Sequence, residues 1–157
     1  MAVLLGCQAR AANKLAVIDL ELTGDLGGPE FEQEHIQRLK SEDAELRRDL
    51  AASGKFLVVD NAPASSILER LQSERAHLFD CACDVEVGKA LGVDYTMVVW
   101  VYRVSGLILT LTYELHDVAS EQIVARKAYE FRGDNDTAWT HAIRYMVRDL
   151  PLLPDRH

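Results

Sequence analysis

The stretch "DYTMVVWVYRVSGLILTLTYEL", Asp94 to Leu115, decides the fold. Its two halves, 94–104 and 107–115, are rich in β-branched and aromatic residues, so each reads as a strand. Only Ser105-Gly106 separates them, and a connector that short joins strands as an antiparallel hairpin. After the short connector "HDVASE", the run "QIVARKAYEF" (122–131) adds a third strand and completes a meander.

Upstream, strands and helices alternate. "KLAVIDLEL" (14–22) is apolar on both faces at its start, as in a strand buried within a sheet, and Gly24, Gly27, Gly28 and Pro29 stop it. From Glu30 to Ser53, Ile36, Leu39, Leu46 and Leu50 recur at helical spacing, and Gly54 sits where a capping glycine belongs. This predicts an amphipathic helix of about six turns. "KFLVVD" (55–60) reads as a second buried strand. Pro63 and Ser65-Ser66 open a helical stretch through Ile67, Leu68, Leu71 and Leu78, and "DVEVGKALG" gives a short helix with Val85, Ala90 and Leu91 on one side. Beyond the meander, "GDNDTAW" is dense in helix-capping side chains and leads into a last helix with Trp139, Ala142, Ile143, Met146 and Leu150 on one face, ended by Pro151 and Pro154. The predicted order is β-α-β-α-α-β-β-β-α. Early strands separated by helices need parallel crossovers, whereas the meander is antiparallel. The fold class is therefore α/β: a mixed parallel and antiparallel sheet with a C-terminal meander and helices packed on it.

A chain of 157 residues, 48% hydrophobic, buries one core, here assigned to residues 14–151 with 152–157 as a tail. The net charge of −8, with Arg47-Arg48 as the densest basic run, argues against nucleic-acid binding. No apolar run approaches the roughly 18 residues of a membrane-spanning helix.

Residues 1–13 read as the remnant of a leader. "MAVLLGCQARAANK" holds an apolar patch, Ala2 to Leu5, and Ala9-Arg10-Ala11 fits the small-x-small end of a secretory signal. Leu4-Leu5-Gly6-Cys7 resembles a lipoprotein box in which Cys7 is the lipidated residue. A chain that truly starts at Met1 would instead be cytoplasmic. Three cysteines are an odd count, but removal or lipidation of Cys7 leaves Cys81 and Cys83 as an even pair in an oxidising compartment.

In "HLFDCACD" (77–84), three readings of that pair stay open. One is a structural disulfide, though closing so short a loop restrains little chain entropy. The second is buried or partner-exchanging thiols. The third is a metal site that adds His77 and Asp80 or Asp84, in a cramped spacing for zinc or copper.

Asp19 and Glu21 alternate onto one face of the first strand and read as a strand end emerging into solvent rather than as paired acid/base carboxylates. His116 and Asp117 fall in a predicted hairpin turn, and His141 lies off the apolar stripe of the last helix. Asp134 and Asp136 read as helix-capping acids, since a calcium loop's Gly and distal Glu are missing. Trp100 and Tyr102 share one strand face, with Met97, Val99 and Val101 on the other. With Tyr113 they are the aromatic candidates for a docking surface if helices leave them uncovered, and plain core if helices cover them.

Val104-Ser105-Gly106-Leu107-Ile108-Leu109, His116-Asp117-Val118-Ala119, and Arg132-Gly133 with Trp139 resemble a family of bacterial predicted secreted proteins of uncharacterised function. "LAVIDLEL" and "LAASGKFLVVD" match that family's first two strands and the end of its long helix, so the resemblance runs from Lys14 to Leu150. More loosely, the strand order resembles the amino-terminal domain of TolB and the CsgG-like domain of curli secretion, envelope proteins that dock to other proteins. The resemblance implies a periplasmic location and names no activity. It associates the family with gene neighbourhoods of periplasmic quinoprotein dehydrogenases. In that family the cysteines are spaced more widely than Cys81 and Cys83.

No Gly-rich phosphate loop, nucleophile elbow or paired-His zinc signature is present, so neither an enzyme nor a cofactor is expected. The expectation is a non-catalytic periplasmic accessory module that binds another envelope protein. The alternative is a small metal-binding or thiol-redox protein centred on His77, Cys81 and Cys83.

Overall fold

A computed structural model describes residues 12–154 and 156. One six-stranded sheet carries the fold: β1 (Asn13–Val17), β2 (Glu21–Gly24), β3 (Phe56–Val58), β4 (Tyr95–Arg103), β5 (Ile108–Asp117) and β6 (Ile123–Arg132). Four helices accompany it: α1 (Glu32–Ala52), α2 (Ser65–Glu74), α3 (Asp84–Leu91) and α4 (Asp136–Asp149). The strand order is β3-β1-β4-β5-β6, with β2 also paired to β4. β1 pairs parallel with β3 and β4, and β4, β5 and β6 form the antiparallel meander. The mixed α/β class is as expected from the sequence.

The first strand departs from expectation. "KLAVIDLEL" is two strands, because Ile18, Asp19 and Leu20 span the space between the Val17–Met97 and Glu21–Trp100 pairs, where β4 has only Val98 and Val99. One extra residue is thus inserted, as in a bulge, and it flips the side-chain alternation. The freed N–H of Leu20 donates to Asp43 Oδ1 of α1 at 2.9 Å. Without the insertion Glu21 would face the same side as Asp19; with it, Glu21 lies beside Trp100. Further along, Gly24 (φ +97°) runs so close to β4 that a Cβ would stand 2.3 Å from the Arg103 carbonyl oxygen.

α1 and α4 cover one sheet face. Leu46, Leu50, Trp139, Ile143 and Met146 pack on Leu15, Val17, Met97, Val99, Val101, Leu109, Leu111, Tyr113 and Leu115. The first half of α1 buries His35, Arg38 and Glu42 instead of Ile36, which is exposed. Those polar residues face the loop before α4: the Asp134 carboxylate accepts from Arg38 Nη1 (3.0 Å), Arg103 Nε (2.7 Å) and Trp139 Nε1 (3.0 Å). Asp134 is therefore a buried clamp, and the α4 cap is Asn135, whose side chain accepts from the Ala138 N–H. Asp136 holds Arg38 Nε at 2.9 Å.

On the second face, α2 and α3 cover only part of the sheet. Ala64, Leu71, Leu78 and Val87 pack on Ile18, Val98 and Trp100, and among the described residues no apolar side chain of β5 or β6 joins that cluster. Beyond α4 the chain returns to the sheet: Pro154 accepts from Asn13 Nδ2, and Arg156 reaches Asp117 at 2.7 Å.

Candidate functional site

The site assembles where the 75–83 loop crosses the second face. α2 ends at Glu74, earlier than its apolar pattern predicted, so Leu78 is buried from a loop. Glu21 holds that loop with both oxygens, accepting from the Leu78 N–H at 2.8 Å and lying 2.8 Å from His77 Nδ1. The His77 ring lies 4.9 Å from that of Phe79, which stacks on Trp100 at 4.6 Å with the planes 13° apart. On the far side the Arg126 guanidinium sits 5.7 Å from the Trp100 ring centre, within range of a cation–π contact.

Cys81 and Cys83 are joined in a disulfide across Ala82, whose backbone is left-handed (φ +52°). Cys83 is the N-cap residue of α3. Behind it, Asp84 is fully buried and accepts from Thr96 Oγ1 at 2.5 Å. His116 Nδ1 lies 2.8 Å from the same Asp84 oxygen but out of hydrogen-bonding line, an electrostatic contact rather than an aligned bond. Cys81, Phe79, Trp100, His116, Ile123 and Arg126 line a groove of about 470 Å3.

Several sequence expectations change here. His116 and Asp117 are not in a turn: β5 runs through both, pairing Asp117 with Tyr95, and both are buried. Burial pushes the Asp117 carboxyl up, but hydrogen bonds from Ser120 and Arg156 outweigh it and hold it below the usual carboxylate range. Asp19 and Glu21 are separated by the inserted residue, Asp19 pairing with Arg47 of α1 at 2.8 Å and Glu21 with His77. The metal centre proposed on His77, Cys81 and Cys83 is not assembled, because both sulfurs are spent on each other and His77 is engaged by Glu21. Among the described residues no group of three or more His, Cys, Asp and Glu is placed to hold a metal ion. Of the aromatic candidates, Trp100 is buried under Phe79, and Tyr113 is buried on the opposite face against Tyr129 of β6. Tyr102 is 49% exposed, the one exposed residue of β4. His141 is exposed on α4, and Cys7 lies outside the described residues.

The sequence matches the model of a protein family over residues 13–150. The chain belongs to the DUF3280 family. That family is described as a protein of unknown function (DUF2380). No protein of curated function matches the chain. Among solved structures, the LpoB C-terminal domain from Escherichia coli superposes with a TM-score of 0.56 at 18% identity, covering 78% of this chain and 84% of that one. The PelC dodecamer from Paraburkholderia phytofirmans gives 0.50 at 16% identity, covering 87% and 86%. TolB from Acinetobacter baumannii gives 0.49 at 16% identity, covering 90% of this chain and 30% of that one. At these identities the likeness to LpoB and PelC is one of fold. No described helix is long and apolar enough to cross a membrane.

Proposed function

We propose that this DUF3280 chain is a non-catalytic accessory module of the bacterial cell envelope that docks to another envelope protein through the uncovered half of its second sheet face. One observation carries the reading. α2 and α3 stop at the β4 side, leaving Tyr102 exposed beside β5 and β6, with the outer edge of β6 free of any described strand. An exposed aromatic on a flat sheet face is a favoured anchor for a protein partner, and an open edge offers backbone hydrogen bonds to an added strand.

Two facts support the setting. The Cys81–Cys83 disulfide fits an oxidising compartment and so supports periplasmic placement, to which the lipoprotein-like Leu4-Leu5-Gly6-Cys7 adds Cys7 as the candidate lipid anchor. PelC, of the same fold, assembles as a dodecamer, so this architecture sustains protein–protein contact. The quinoprotein dehydrogenase association of the family offers a partner to try first.

The test is a photo-crosslinker placed at Tyr102, and separately at the exposed Arg48 on α1, in the native host. Crosslinking to one envelope protein from Tyr102 and not from Arg48 is expected. Equal yields from both positions, or none from Tyr102, would remove the docking face.

A further inference from the structure

We infer that the Cys81–Cys83 disulfide is an exchanging one, a site at which a thiolate is oxidised. The inference is independent of the docking face.

Three observations point this way. The bond closes a loop with a single residue inside it, so it removes almost no entropy from the unfolded chain and contributes little as a staple. Within that loop Ala82 stands at φ +52°, a left-handed conformation that a Cβ disfavours, so the oxidised loop carries backbone strain. And the bond is reachable. Both cysteines are partly exposed, and Cys81 lines the groove whose walls are the Phe79–Trp100 stack, His116 and Arg126.

The two sulfurs have different places in the step. Cys81, on the groove, is the one attacked. The incoming thiolate bonds to Cys81 Sγ, the bond to Cys83 breaks, and Cys83 leaves as a thiolate that takes a proton from water. Cys83 is the N-cap residue of α3, where the helix dipole favours a negative sulfur, against the opposing charge of Asp84 and Glu86 in the first turn. A second thiolate then attacks the substrate sulfur of the mixed disulfide and releases Cys81. Two thiols become one disulfide, and two electrons and two protons end on the Cys81–Cys83 pair. As written the reaction is one turnover per chain.

The substrate chemistry is a thiolate, which either a small thiol or a protein cysteine supplies. The experiment uses the full oxidised chain with Cys7→Ser, which removes the third thiol. It is incubated with millimolar reduced glutathione or with an extended peptide carrying one cysteine, quenched in acid, alkylated and mapped by mass. Expected is a mixed disulfide on Cys81 followed by a reduced pair, with circular dichroism unchanged. Faster exchange with the peptide assigns a protein substrate, and equal or faster exchange with glutathione a small thiol. The strain is read by Ala82→Gly: relief of about 1 kcal/mol in the oxidised loop makes the pair roughly fivefold harder to reduce in glutathione equilibrium. A pair that stays oxidised in both thiols, or is reduced only as the fold is lost, would overturn the exchange site and leave a structural bridge. An Ala82→Gly variant reduced as easily as the parent would overturn the role of loop strain.

Discussion

Removing the Asp134 carboxylate should cost far more than an ordinary surface-loop change. It lies in the loop before α4, yet its side chain is only 8% exposed and takes bonds from two guanidiniums that are 6% and 10% exposed. Breaking a buried pair by deleting one member typically costs about 3–5 kcal/mol, because the surviving charge stays buried without its counter-ion. The low end applies here. Arg38 keeps Glu34 at 2.6 Å and Asp136 at 2.9 Å, and Arg103 Nη1 keeps the Asp25 carbonyl at 2.6 Å. Glu34 and Asp136 are more than half exposed, so water screens what they return. The Trp139 indole N–H also loses its acceptor, worth about 1 kcal/mol more. Asp134→Ala is thus expected to lower unfolding free energy by about 3–4 kcal/mol. Urea titration by circular dichroism reads it as a lower midpoint at unchanged slope. Combining Asp134→Ala with Arg103→Met should cost less than the two single changes summed, by about 1–3 kcal/mol. A single-variant cost under about 1 kcal/mol, or strict additivity of the pair, would refute the clamp.

Two further outcomes follow from the packing. Gly88 lets α3 settle on the sheet: a Cβ there would stand 2.5 Å from Thr96 Cγ2 and 2.7 Å from Val118 Cγ2, and Thr96 is fixed by its bond to Asp84. Overpacking outweighs the helix preference of alanine, so Gly88→Ala should destabilise by about 1–2 kcal/mol in the same urea assay, and a stabilised variant would show α3 free to shift. Glu42 is buried between α1 and α4, and burial pushes its carboxyl above 4.5 even though the Thr140 hydroxyl donates to it. A raised folded value means the ionised group is held less well folded than unfolded. That penalty is complete at pH above the folded value, shrinks as pH falls through it, and is gone below 4.5. Glu42→Gln should therefore raise the melting temperature at neutral pH and lose that advantage in acid, and an equal shift at both would contradict it.

The sheet was legible because strands declare themselves by composition and by connector length. Ser105-Gly106 admits only a hairpin, and the helices between the early strands demand parallel pairing. The site was not legible, because it depends on choices that leave little periodic trace. Whether Glu21 faces α1 or the cysteine loop turns on one inserted residue, and "VIDLEL" reads as an unbroken strand either way. The buried acids carried a faint signal. Arg103 interrupts an otherwise apolar strand, and a buried guanidinium requires a carboxylate somewhere distant, which proved to be Asp134 in a sequence that looked like a cap. The Asp84–His116 contact gave none, since Asp84 reads as a candidate metal ligand beside the cysteines and His116 as a turn residue until β5 is seen to run through it.

The inserted residue also ties fold to site. By turning Glu21 onto the second face it gives the loop a carboxylate that binds the His77 side chain and the Leu78 N–H together. That anchor sets Phe79 over Trp100, and the stack removes Trp100 from the surface, leaving Tyr102 as the exposed aromatic of β4. The same anchor delivers Cys81 to the groove rim only three residues later. A register shift at the bulge would thus disturb the aromatic face and the disulfide groove in one step. Both sites depend on a short segment whose Ile18 and Leu20 are anchored in the two cores while Asp19 between them is 69% exposed and pairs with Arg47.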